Sequence, residues 1–202
     1  MMVGGKELVA RAIEQARACV RIGRVVVTTD DDRIAALARQ HGAEVINRPA
    51  SLSVEGVPTL PVLRHALEYL EKYKEVKPLV VVILQPTSPL RTTADIDGAL
   101  GLMLDRGAES VLSVSPGERQ AGQDYWSPVA DPENGAIYIT RRSVIMEQGR
   151  LIGKNVLAYT MPVERSIDID TQEDLDRAEQ YLAEQSEGTV KVKKVEKKRS
   201  HR

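Results

Sequence analysis

The sequence predicts an α/β fold, a Rossmann-like three-layer α/β/α domain around a mostly parallel sheet. Segments with the apolar period of a helix alternate with short apolar segments along most of the chain, the pattern of strands joined by right-handed helical crossovers. Residues 79–84, Leu-Val-Val-Val-Ile-Leu, are aliphatic without a break, as in a strand covered on both faces. There is no Phe and only one Trp, so Val, Ile, Leu and Ala must fill the core, which suits helices packed on parallel strands.

The elements follow in order. Residues 6–20 place Leu8, Val9, Ile13, Ala16 and Val20 at helical spacing. Residues 24–28 read as a short buried strand. A helix is expected over 31–41, with Asp at its start, a stripe of Ile34, Leu37 and Ala38, and Gly42 beyond its end. Residues 43–47 read as a second strand, and 58–74 as a longer helix carrying Leu60, Leu63, Leu67 and Leu70. The 79–84 run is expected to be a central strand. Thr92 and Asp95 form a capping box for a helix through Leu104. Strands are expected over 110–115, 136–140 and 156–161, and Thr171 with Asp174 opens a last helix through Ala183. Residues 116–133 are polar and hold Trp126, which suggests a loop or an excursion from the sheet. Residues 1–185 thus read as one domain, and 186–202 as a basic, solvated and mobile tail.

Composition narrows the function classes. The chain has 202 residues, enough for one domain with a real core, and a formal net charge of −1. No global field favours nucleic acid or an anionic membrane. The lone Cys19 can form neither an internal disulfide nor a zinc site by itself, and reads as a buried thiol. No apolar stretch reaches the length of a membrane span and no signal peptide is visible, so a cytoplasmic protein is expected. Gly4-Gly5-Lys6 is too short, and follows no strand, for a phosphate loop. His41, His65 and His201 share no local motif.

Ligands of an open parallel sheet bind beyond the carboxyl ends of its strands. Past the apolar strand lies Gln-Pro-Thr-Ser-Pro-Leu-Arg at 85–91. The Gln85 amide both donates and accepts, which suits a sugar hydroxyl or a base edge. The same turn could equally satisfy only its own backbone. Past the second strand, Arg48 offers a planar fork of donors to a phosphate or carbonyl, although a surface Arg is often merely solvated. The run Ser-Ile-Asp-Ile-Asp-Thr at 166–171 is the most telling. In extended backbone Asp168 and Asp170 face one way and Ile169 the other. About 4 Å apart at an effective dielectric near 20, two such carboxylates repel by roughly 4 kcal/mol. A hard divalent cation would relieve that, as would a cap for one and solvent for the other.

Three stretches in this order, 85–91, Asn134-Gly-Ala-Ile-Tyr138 and 166–171, resemble signatures of the acylneuraminate cytidylyltransferase family. Thr28-Thr-Asp30 and Arg48-Pro-Ala50 are also similar, and the resemblance spans residues 4–184. It implies the nucleotide-diphospho-sugar transferase type of fold. It also implies transfer of CMP from CTP to an acidic nine-carbon sugar of the sialic or legionaminic acid type, with pyrophosphate leaving and Mg²⁺ assisting. On it, Asp168 and Asp170 would be the catalytic, metal-holding carboxylates. Gln85, Thr87 and Tyr138 would line the sugar pocket, Arg48 and Thr59 would contact the nucleotide, and Asn134 and Gly135 would shape the pocket. A homodimer is the family's usual state, and the 115–134 segment is shorter than the family's dimerisation excursion. The family's N-terminal strand and basic Gly-containing triphosphate loop have no counterpart here, Met1 aligning just past them. That leaves a central sheet position to be filled. It leads one to expect slow turnover of residues 1–202, or a non-catalytic paralogue that binds nucleotide or sugar.

Overall fold

The computed structural model describes residues 1–116 and 132–199, with side chains to Gln185. The chain opens on a hairpin, β1 (Met2–Val3) and β2 (Lys6–Glu7), absent from the sequence-based expectation. Gly4 and Gly5, at φ +54° and +72°, form its tight turn, so this glycine pair serves a hairpin. Next come α1 (Leu8–Ala18), β3 (Val26–Thr29), α2 (Asp32–Gln40), β4 (Glu44–Asn47) and α3 (Thr59–Lys74). β5 (Val80–Ile83), α4 (Thr93–Arg106), β6 (Ser110–Val114), β7 (Glu133–Arg141), α5 (Arg142–Met146), β8 (Val156–Thr160) and α6 (Gln172–Arg199) complete the order. Residues 117–131, most of the 116–133 excursion and Trp126 with it, lie outside the described residues. α6 continues through most of the stretch read as a tail.

The fold is the expected three-layer α/β/α arrangement. β3 and β4 pair in parallel, and a second ladder runs β5-β7-β6-β8. In that ladder β6 and β8 are parallel, whereas β7 runs antiparallel to both β5 and β6. Helix α1 packs on α2 and on α4, and α3 packs on α5. The larger core joins Ile96, Ala99, Leu100 and Met103 of α4 to Val111, Ile137, Ile139 and Leu157 of the strands. All of these are aliphatic or Met, as the composition required. Cys19 is buried in this core. No helix among the described residues is long and apolar enough to cross a membrane.

One expectation is corrected. β5 is not a central strand: among the described residues it pairs with β7 alone and ends its ladder. Its four residues are half-buried, and Leu79 is 84% exposed. An aliphatic run reports that helices cover the faces of a strand; it carries no information about which strands lie beside it. For the same reason, the reversed direction of β7 was not readable from local pattern.

Candidate active site

Burial over 167–170 does alternate as expected. Ile167 and Ile169 turn inward, onto a cluster with Leu90, Leu8, Ala178 and Val3 of the opening hairpin. Asp168 turns the other way and is half-buried, and Asp170 is exposed. The Ile169 amide donates to the Thr87 carbonyl at 2.8 Å, which lays this run beside the 85–91 turn. Ser88, fully buried, donates its hydroxyl to Asp168 Oδ1 at 3.2 Å.

The third wall comes from an irregularity in β7. Leu112 pairs with Tyr138, but Val114 pairs with Glu133, where an uninterrupted ladder would offer Ala136. The surplus residues bulge, and side chains satisfy them. Ser113 Oγ accepts from the Ile137 amide at 2.7 Å and donates to Asn134 Oδ1 at 2.6 Å. Asn134 Nδ2 then donates to Ser166 Oγ at 3.0 Å, tying the bulge to the start of the Asp168 run. Gly135 takes φ +71°, and a Cβ there would lie 2.6 Å from Asp168 Oδ2. Only glycine suits both the conformation and the close approach.

Tyr138 stands opposite Ile83, two residues before Gln85. Its hydroxyl donates to Glu133 Oε2 at 3.1 Å. Burial first, then the Glu133 carboxylate and Asp168, push its ionisation well above the ordinary range, so it stays a neutral phenol. Beneath the turn lies Arg91, 1% exposed. Its Nη1 donates to the carbonyls of Gln85 (2.7 Å), Ser88 (2.8 Å) and Ala136 (3.1 Å). Burial lowers its pKa to about 10, against the opposing pull of Asp168.

The structure therefore gathers Gln85, Thr87, Tyr138 and Asp168 around one turn and one bulge. Arg48 lies just past β4, and Thr59 opens α3, which packs on α5. Asn47 and Thr29 are paired strand ends, and just past them Arg48 donates to Ser53 Oγ at 3.0 Å and to Asp30 Oδ1 at 3.3 Å. Thr59 is the exposed first residue of α3. No hydrogen bond among the described residues links either to the 85–91 turn. Ser88, Ser113 and Arg91 were missed as site residues. Ser88 and Arg91 sit inside a quoted motif, but a hydroxyl or a guanidinium turned inward looks, in sequence, like any polar turn residue.

Among the described residues no group of three or more His, Cys, Asp or Glu side chains is arranged to hold a metal. Asp168, which accepts from Ser88, and the exposed Asp170 offer carboxylate oxygens only. That fits Mg²⁺, which takes one or two carboxylates and keeps waters or substrate phosphates, better than a cation needing a full protein cage.

Comparison with known proteins finds similarity to cytidylyltransferases. The chain is 29% identical over 200 residues to N-acylneuraminate cytidylyltransferase of Escherichia coli O18:K1:H7, covering 88% of this chain and 46% of that one. It is 26% identical to the post-translational flagellin modification protein B of Campylobacter coli, covering 89% and 86%. It is also 26% identical to CMP-N,N'-diacetyllegionaminic acid synthase of Campylobacter jejuni, covering 83% and 80%. The chain thus spans about half the length of the first relative and most of the other two. In fold it is similar to a CMP:2-keto-3-deoxy-manno-octonic acid synthetase complexed with CTP, with a TM-score of 0.67 at 19% identity over 92% of this chain and 91% of that one. A 4-diphosphocytidyl-2C-methyl-D-erythritol synthase of Anaerococcus prevotii has a TM-score of 0.57 at 13% identity, over 90% and 88%. The sequence model of the family described as Cytidylyltransferase matches residues 2–199, and the chain belongs to that family.

Proposed function

We propose that the chain transfers CMP from CTP to an acidic nine-carbon sugar of the sialic or legionaminic acid type. The anomeric hydroxyl of the sugar attacks the α-phosphorus, an oxygen–phosphorus bond forms, and pyrophosphate leaves. The observation that carries this reading is the meeting of the 85–88 turn, the Gly135 bulge and Asp168 at one place. The names of the relatives support the choice of acid.

In this reading Gln85 and Thr87 hydrogen-bond sugar hydroxyls, and the neutral Tyr138 hydroxyl, which donates to Glu133, adds an acceptor beside them. Arg48, just past β4, and Thr59, at the start of α3, contact the nucleotide. Asp168 and Asp170 would hold Mg²⁺, which supplies positive charge for the developing phosphate oxygens. The hydrogen bond from Ser88 fixes the orientation of the Asp168 carboxylate. Such transfers depend on positioning and charge neutralisation far more than on covalent chemistry by the protein.

The test is pyrophosphate release from CTP with Mg²⁺ and, in parallel, an N-acylneuraminate, a legionaminate and an eight-carbon keto acid. Turnover with a nine-carbon acid and none with the eight-carbon acid is expected. Preference for the eight-carbon acid would overturn the substrate assignment. CTP binding with no turnover on any acid would favour the alternative reading, a nucleotide-binding paralogue without catalysis.

A further inference from the structure

We propose that Arg91 is the positioning residue of this site: its guanidinium fixes the spacing between the 85–88 turn and the 134–136 bulge, and with it the geometry that receives the sugar. The inference rests on the reading above for the identity of the ligand, but its structural basis is independent of it.

Arg91 is 1% exposed, and one nitrogen, Nη1, gathers the carbonyls of Gln85, Ser88 and Ala136. Each carbonyl belongs to a part of the site. Gln85 bears the candidate sugar contact, Ser88 donates to Asp168, and Ala136 follows the glycine against which Asp168 rests. The opposite edge of the guanidinium, Nε with Nη2, is buried and has no hydrogen-bond partner. That edge is the one with which Arg grips carboxylates and phosphates in two-pronged fashion. Here it is sealed from solvent, so Arg91 is no direct ligand contact.

Burying a guanidinium with two nitrogens unpartnered is costly, and an apolar side chain of similar volume would fill the space without that penalty. An apolar side chain could not hold three carbonyls to a common point. Lysine would keep the charge, but its ammonium is a mobile point on a flexible stem and lacks the planar spread of donors. The far end of the turn is clamped separately: Gln15 of α1 donates from Nε2 to the carbonyls of Pro89 (3.0 Å) and Arg91 (2.5 Å). Gln15 therefore secures where the turn ends, while the Arg91 side chain sets how the turn faces the bulge.

The experiment compares the full chain with Arg91→Lys and Arg91→Met. It reads thermal unfolding, KM for CTP and for N-acetylneuraminate separately, and hydrogen exchange by segment. Both variants are expected to fold, to raise KM for the acid sugar by about tenfold or more, and to leave KM for CTP within about twofold. Exchange is expected to quicken in residues 85–91 and 134–138 and to stay unchanged in β6. Arg91→Lys should not rescue the sugar KM, because it restores charge and not geometry. Should Arg91→Met not fold, Arg91→Lys alone carries the comparison. Equal rises in both KM values, unchanged kinetics with unchanged exchange, or global unfolding of Arg91→Lys would each overturn the proposal. If the wild-type chain turns over no acid sugar, the substrate reading fails, and exchange still decides: loosening confined to the two segments supports the role of Arg91, and its absence or spread refutes it.

Discussion

Asp168 is the residue on which the local geometry turns, and Gly135 is the cheapest way to test that. Gly135→Ala puts a methyl 2.6 Å from Asp168 Oδ2 on a backbone at φ +71°. A non-glycine residue held there costs about 1–3 kcal/mol, and Asp168 must also move. Urea unfolding should show that loss, and pyrophosphate release should fall by more than stability alone explains. Activity at the wild-type level would mean that Asp168 has no fixed role. At this scale the sequence was partly legible. Alternation of Ile167 and Ile169 with the two Asp residues announced which side chains face the core, because such periodicity is a local property. The hydrogen bond from Ser88 to Asp168 joins residues far apart in the chain, and nothing local encodes it.

Among the elements, α4 is held at its start by an ion pair on which the 166–171 run also depends. Asp95 is 2% exposed and closes the capping box with Thr92, and Arg165 grips it through Nε at 3.0 Å and Nη2 at 2.7 Å. Burial would raise the Asp95 carboxyl, but Arg165 and Thr92 outweigh it and hold the group below its ordinary value. Arg165→Met leaves that carboxylate buried without its cation. We expect a loss of about 2–3 kcal/mol in urea unfolding, below the full cost of breaking a buried pair because Arg165 is partly exposed. No change would show that Thr92 alone satisfies Asp95.

Glu109, just before β6, accepts from the Gln148 side chain and from the Asn155 and Lys154 amides, which holds its pKa at about 2. Its folded pKa is depressed, so its contribution is full above the ordinary carboxylate range and is lost as pH falls through about 2. Glu109→Gln should therefore melt lower than wild type at pH 7, with the gap closing toward pH 2. A gap independent of pH would contradict the assignment. Both capping boxes were legible in sequence, since a cap is written within four residues. The order of the strands was not, because ladder neighbours such as β5 and β7 are distant in the chain.

At the scale of the whole molecule, the candidate nucleotide contact Arg48 stands on the β3–β4 half, and the candidate metal and sugar residues stand on the other. CTP with Mg²⁺ should therefore raise the melting temperature by touching both halves. Mg²⁺ relies on substrate phosphates to complete its shell, so Mg²⁺ alone should raise it little. The Asp168→Ala/Asp170→Ala variant should keep the shift due to CTP alone and lose the Mg²⁺-dependent increment. An equal increment in both proteins would remove the metal role from these carboxylates.

The two ladders, β3–β4 and β5-β7-β6-β8, share no hydrogen bond among the described residues, and α1 packs against a helix of each half. Cooperativity between the halves then passes through packing such as that on α1 and not through strand pairing shared by the two ladders. Packing of that kind transmits unfolding less faithfully than a shared sheet does, so each half can open on its own. In scanning calorimetry the enthalpy under the transition should exceed the van't Hoff value, the mark of more than one melting unit. Binding of CTP across both halves should bring the two enthalpies together. A ratio of one in the free protein would show that packing between the halves makes them melt as a single body.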